Sequence, residues 1–368
     1  MEQRRPALHA MLLALGLVMG WLVVLAANPH LIAPADGVSS AQARRWLADD
    51  PLDVSALRAL GLALYAEGRP GSADAVLTFA GQRSWRDLET DRWLFERRLI
   101  EGRLPEAFAE ADAMLRLDID ESLRAPLIHV VVLTLGDKTA QTTLAQHLAG
   151  SPWWRLDFMR RLDADGSEDD ARAVLLALAK TPAPPTPDEY APYIRRMVKR
   201  GAYRQAWSDW RWLARPGAAL DRADIEGGFA PFDGTPFTWN GADGAGATSS
   251  IESGTLRIEY DGYGEPTLPG RMLVLPAGRY SLSWREHHES DVASRVGWVV
   301  TCVGGSPMLA QSAPTSSASW AARSLNFEVP RTGCPAERLG LVPLPGDRRS
   351  DGVSWFQAPS VVRLRAAT

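Results

Sequence analysis

The chain has 368 residues, of which 46% are hydrophobic and 23% charged, with a formal net charge of -4. This composition excludes a disordered chain, allows two folded domains, and offers no basic footprint for a nucleic-acid backbone. Fourteen Trp stand against seven Tyr, a load that serves as core anchors or as platforms for stacking on sugar rings.

The first element in chain order is the run Leu8 to Ala27, which holds no Asp, Glu, Lys or Arg. Its length is about the ~20 residues that a helix needs to cross a bilayer. Arg4 and Arg5 precede it, and the next Lys or Arg is Arg44. The positive-inside bias therefore predicts a cytoplasmic tip, a transmembrane signal anchor ending at residue 27, and a periplasmic remainder on a bacterial inner membrane. A cleaved signal peptide is the other reading of the same run. Residues 28–40 carry two Pro, a Gly and two Ser and read as a linker.

From residue 41 to 217 the pattern is helix, short Gly or Pro break, helix. Ala73, Ala107, Ala140, Ala171 and Ala206 are separated by 34, 33, 31 and 35 residues. Thirteen positions upstream of each stands a larger residue: Leu60, Leu94, Leu127, Phe158 and Tyr193. A further set follows four residues after each alanine: Leu77, Ala111, Leu144, Leu175 and Trp210. A small residue at such a period suits helical hairpins whose second helix crosses the first at close range. Two stretches carry the signal best, Leu60-Gly61 with Glu67-Gly68-Arg69, Ala73 and Ala80, and then Gly102 to Leu115. This segment resembles the tetratricopeptide repeat, and the resemblance implies a solenoid that holds a protein partner. The later units lack the family's small residue after the first-helix leucine. His129 and His147 have no ligand cluster at metal spacing and read as ordinary helix residues. Glu168, Asp169 and Asp170 read as an acidic first helical turn, and Trp207, Trp210 and Trp212 as an end cap packed on the next domain. The proline-rich Pro182–Pro187 reads as a loop inside the array.

Beyond Arg215-Pro216-Gly217 the helical period stops, and residues 222–368 form short alternating segments. Leu256, Ile258 and Tyr260 share one face, as do Tyr280, Leu282 and Trp284. Val296, Trp298, Val300 and Cys302 form a third set, Leu325, Phe327 and Val329 a fourth, Leu339 with Leu341 a fifth, and Val362 with Leu364 a sixth. Such a series predicts an antiparallel β-sandwich. The opening IEGGFAPFDGTPFTWN and the closing VSWFQAPSVVRL resemble the first and last strands of a jelly roll of the carbohydrate-binding-module, or galactose-binding-like, kind. Gln357 and Ala358 stand where many members of that family have an acidic pair. The fold class expected is therefore α+β multidomain: transmembrane helix, α-solenoid, β-sandwich.

Tyr280, Trp284 and Trp298 lie on the apolar parity and belong to the core. Trp239, Tyr263, Trp320 and Phe356 lie in loops or on the other parity and are the candidates for stacking on a sugar. His287 and His288, in a segment expected to be a solvated polar loop, would meet one ion only if the chain turned there. Cys302 and Cys334 are the two cysteines of the chain, and an even count outside the cytosol predicts a disulfide between them. Nucleophile elbows, phosphate loops, zinc-binding HExxH and dinucleotide motifs do not occur, so no catalytic residue, cofactor or metal is expected. These features together predict a membrane-anchored periplasmic adaptor, with repeats for an envelope protein and a sandwich for a polysaccharide, in envelope or exopolysaccharide assembly. The alternatives are an enzyme acting on envelope polysaccharide and a purely structural interaction protein.

Overall fold

The computed structural model describes residues 38–364 except 85–86, 118–119, 137, 215–228, 230–231, 243, 245, 290–294, 305–307 and 346–350. The Leu8–Ala27 run lies outside the described residues, and among those described no helix is long and apolar enough to cross a membrane. The chain divides into two units between Pro184 and Pro185.

The first unit is helical: α1 Ser40–Asp49, α2 Val54–Ala66, α3 Pro70–Arg83, α4 Leu88–Ile100, α5 Leu104–Arg116, α6 Glu121–Leu133, α7 Lys138–Leu148, α8 Arg155–Asp165 and α9 Glu168–Leu178. Side-chain oxygens of Ser39, Asp53, Asp120 and Ser167 accept the orphan N–H groups that open α1, α2, α6 and α9, as N-cap residues do. After α2, Gly68 (φ 74°) and Arg69 return their N–H groups to the carbonyls of Tyr65 and Leu64. After α4, Gly102 (φ 71°) and Arg103 do the same to Leu99 and Arg98. Both turns are Schellman motifs, and the left-handed residue they need is the reason for glycine.

The periodic alanines are where the helices meet. Ala73, Ala107, Ala140 and Ala171 are all buried, as are Leu77, Ala111, Leu144 and Leu175. At Gly61 a Cβ would stand 2.4 Å from Leu77 Cγ, so only glycine lets α2 approach α3 this closely. α2 pairs with α3 and α4 with α5, whereas α6 lies on α8 and α7 on α9. The register slackens in the third period: Leu127 is half-buried, Pro126 stands inside α6, and a 3-10 turn over Thr134–Gly136 replaces the glycine turn.

The second unit begins with α10 Pro187–Lys199 and α11 Tyr203–Ala214. This hairpin, which the sequence assigns to the repeat array, packs with the leading loop of the sandwich. Trp207 and Trp210 stack at 5.1 Å, and both rings meet Phe237. The Asp233 carboxylate ties the joint: Trp210 Nε1 donates at 2.9 Å, Tyr190 Oη at 3.2 Å, and Thr235 and Thr238 hydroxyls at 2.6 and 2.7 Å. The proline-rich stretch near residue 184 therefore marks the division rather than a loop within one array.

Among the described residues nine strands follow: β1 Ala247–Glu252, β2 Thr255–Tyr260, β3 Gly270–Leu273, β4 Gly278–His288, β5 Val296–Cys302, β6 Met308–Gln311, β7 Ala321–Val329, β8 Glu337–Pro343 and β9 Gly352–Arg363. They form antiparallel sheets in the orders β1-β2-β9-β4-β7 and β3-β8-β5-β6. Setting β1 aside, the other eight strands switch sheets at every connection except β5 to β6, and the orders β2-β9-β4-β7 and β3-β8-β5-β6 are those of a jelly roll. The stretch resembling a first strand is not one among its described residues; Phe229 and Trp239 instead enter the sandwich core from a loop, while Phe237 is buried against Trp207 and Trp210. Trp298 is the core's centre, with Trp239, Trp284 and Phe356 at 5.6–5.8 Å. On β9, Ala358 takes φ 48° and the pairing with β4 shifts register. That bulge flips the parity, so Val361 is buried while Val362 and Leu364, expected inside, are exposed.

Cys302 at the end of β5 is bonded to Cys334 in the turn before β8. Opposite Cys302 stands Glu337, fully buried, with the Leu275 N–H donating to it at 3.0 Å. Burial pushes its carboxyl up to about 7 from 4.5, against the opposing pull of that hydrogen bond. The folded state therefore binds more protons than the unfolded state between those values, and this group's stabilisation falls as pH rises through that window. Glu337→Gln removes the dependence. The stability difference between variant and wild type should widen in the variant's favour by about 3 kcal/mol from acid to alkaline pH, read from urea midpoints. A gap that stays constant with pH would refute the protonation argument.

Candidate functional site

The outer face of the five-stranded sheet is built by alternation. Inward from β4 go Tyr280, Leu282, Trp284, Glu286 and His288, which leaves Arg285 and His287 outward. On β9, Ser354 and Phe356 go inward, which leaves Trp355 and Gln357 outward. The register sets Arg257 of β2 opposite Trp355, and Trp355 opposite His287. Trp320, just before β7, closes the row. The His287 ring stacks on Trp355 at 4.9 Å and 23°, and meets Trp320 at 5.8 Å.

Hydrogen-bonding groups flank this row. Arg285 Cζ lies 5.6 Å from the Trp320 ring, and among the described residues Arg285 makes no ion pair. Gln357 Nε2 donates to Thr255 Oγ1 at 2.8 Å, and Arg257 pairs with Glu259. Ser283, Ser324 and Ser360 face one another in a neighbouring outward row. The result is a line of aromatic rings edged by guanidinium, amide and hydroxyl groups on a strand-built surface. It can take the apolar face of a ring by stacking and its hydroxyls by hydrogen bonds.

The four aromatic candidates from the sequence separate here. Trp320 is 37% exposed, in this row; Tyr263 is 55% exposed, in the loop after β2. Trp239 and Phe356 are corrections, since both are core residues at 1% and 0% exposure. Trp239 reaches the core because its loop folds over Trp298. Phe356 reaches it because β9 turns its parity that way, and its neighbour Trp355 takes the outward place. The sequence carries one signal for Trp355: of two adjacent aromatics, the one with an N–H suits a face that is wet at one end. His287 and His288 are likewise in β4 and not in a loop, so their rings point to opposite faces of the sheet.

Beneath the row lies a buried polar cluster. His288 Nδ1 is 3.0 Å from Ser354 Oγ, and its Nε2 is 3.7 Å from Glu286 Oε1. Burial alone would raise the Glu286 carboxyl. The nearby imidazole and the hydrogen bonds from Thr315, Trp284 and Arg323 outweigh burial and hold it down at about 2. The three residue types are those of an acyl-transfer triad, but Ser354, His288 and Glu286 are each at most 5% exposed. Their contacts close within the core, and the charge of Glu286 is balanced by the Arg323 guanidinium at 3.0 Å.

No family model and no curated protein matches the chain. Among solved structures it is similar to a domain described by CBM4 structure and function, at 17% identity and TM-score 0.28, covering 36% of this chain and 100% of that one. It is similar to the N-terminal cellulose-binding domain of Cellulomonas fimi β-1,4-glucanase C, at 13% identity and TM-score 0.29, covering 41% and 100%. It is also similar to the xylan-binding CBM22-1 domain of Xyn10C from Paenibacillus barcinonensis, at 11% identity and TM-score 0.28, covering 39% and 92%.

Proposed function

We propose that the second unit is a non-catalytic carbohydrate-binding module whose Trp355–His287–Trp320 row stacks on the sugar rings of a polysaccharide. The observation that carries this reading is the row itself. Aromatic side chains on the outer face of a sheet, next to Arg285 and half-buried Gln357, are not required by the core, which has its own aromatic cluster. In the same proposal the helical unit is a tetratricopeptide-like array that holds an envelope protein. Residues 8–27 tether the chain to the inner membrane with both units in the periplasm, as part of envelope or exopolysaccharide assembly. The buried alanines at the repeat period and the two glycine turns support the array.

Trp355→Ala and Trp320→Ala should each weaken retention in gels containing soluble xylan, β-glucan or acidic exopolysaccharide about tenfold, a change of about 1.4 kcal/mol. Their stability should stay within about 1 kcal/mol of wild type, because neither side chain fills the core. Wild-type protein that passes unretarded through all three gels, or variants retained as well as wild type, would overturn the assignment.

A further inference from the structure

A buried acid stands beside the disulfide. Glu337 opens β8 between Leu273 of β3 and Cys302 of β5, and its side chain is sealed from solvent. Its oxygens meet different neighbours: Oε2 accepts the Leu275 N–H at 3.0 Å, and Oε1 lies 3.7 Å from Cys334 Sγ. Cys302 is 5% exposed, whereas Cys334 is half-buried in a turn where Gly333 and Pro335 are exposed. A soluble thiol therefore reaches Cys334 Sγ first. Other titratable or charged groups around the acid have their own settings. The Tyr280 hydroxyl of β4 donates to the Pro276 carbonyl at 2.7 Å, and burial holds it neutral, above its usual 10. Arg363, beside Tyr280, donates to the Ala277 carbonyl at 2.9 Å. Arg338 points to the opposite face of β8, Arg271 of β3 lies over the Trp239 ring, and Arg331 of the turn is exposed.

The two oxidation states of the cysteine pair treat this acid differently. A disulfide sulfur carries no hydrogen, so it offers Oε1 no donor, and burial keeps the proton on the carboxyl up to about pH 7. A Cys334 thiol at the same place can donate to the ionised carboxylate, and a hydrogen bond to the charged form favours that form. The competing acceptor, the Ala336 carbonyl 3.6 Å from the sulfur, is neutral and already takes the Val303 N–H at 2.9 Å. Reduction should therefore release the Glu337 proton, and by reciprocity a rising pH should favour reduction.

We propose that Cys302–Cys334 is a proton-linked redox switch, opened by a dithiol reductant, in which Glu337 passes its proton to Cys334 Sγ. One thiolate of the reductant attacks Cys334 Sγ, the S–S bond breaks, and Cys302 leaves with the bonding pair and takes a proton from solvent. The second thiolate attacks the reductant sulfur of the mixed disulfide and expels the Cys334 thiolate, which Glu337 protonates. The reductant ends as its disulfide and the protein as two thiols and one carboxylate. Two electrons are transferred, and one net proton is released.

Full-length protein equilibrated with reduced and oxidised dithiothreitol from pH 5 to 8, then acid-quenched and alkylated, gives the equilibrium constant for reduction by mass. In this range the reagent thiols stay mostly protonated. The constant should rise about tenfold or more up to pH 7 and level off above it, as linkage to one proton requires. Glu337→Gln should be flat throughout. Infrared difference spectra of the wild type, taken on reduction just below neutral pH, should show loss of a protonated-carboxyl band, a readout independent of the variant's folding. A wild-type constant that does not change with pH, a rise that persists in a folded Glu337→Gln, or no loss of the carboxyl band would each overturn the proposal.

Discussion

Alanine at Trp239 or at Phe356 should cost the second unit about 3–5 kcal/mol, the range for emptying a large aromatic site in a core that relaxes only partly. Trp239 packs Phe229 at 4.8 Å and Trp298 at 5.8 Å, and carries the Arg271 guanidinium on its face. Phe356 packs Trp298 at 5.8 Å and His288 at 6.1 Å. Removing either leaves Trp298 without one of its walls. Hydrogen exchange at the β5 and β8 amides in the full-length protein would report this unit alone. The contrast with Trp355→Ala and Trp320→Ala is the decisive part, since those outward rings should change retention and not exchange. If Trp239→Ala or Phe356→Ala cost under about 1 kcal/mol while abolishing polysaccharide retention, these residues would belong to the ligand surface after all.

Loss of the Cys302–Cys334 bond should cost about 3–4 kcal/mol on the chain-entropy estimate for the 32-residue separation it closes. The bond ties the end of β5 to the turn that starts β8, two strands that already pair from Val296 with Pro343 to Cys302 with Glu337. Most of its effect should therefore fall on the unfolded chain. In a Cys302→Ala, Cys334→Ala variant the native amides of β5 should keep their pairing, while the urea midpoint falls and the m-value rises as the unfolded chain expands. A midpoint within error of wild type under oxidising conditions would show that the cross-link adds nothing to the pairing.

Much of the architecture was legible because it rests on periodicity. Alanines recurring about every 33 residues must lie on one helix face, and four of the five are buried between helices of the first unit. Alternation likewise placed Leu256, Ile258, Tyr280, Trp298 and Leu339 in the core. It failed where the backbone breaks the period. The extra residue at Ala358 reversed the parity of Val361 and Val362, and the polar run Arg285–His288 is a strand because Ser354, Thr315 and Arg323 satisfy its inward members.

By itself the sequence determined the two classes of secondary structure, the separation of helical from strand-forming chain, most inward faces of the strands, and a cysteine pair suited to bonding. These follow from spacing along one chain, where local sterics and apolar burial act alone. Only the tertiary structure decided which aromatics face solvent, that Trp355 replaces Phe356 in the outward row, and that α10 and α11 join the sandwich through Asp233. Those outcomes depend on strand register and on loops laid across a sheet. They are set by residues distant in the chain, and no local period encodes them.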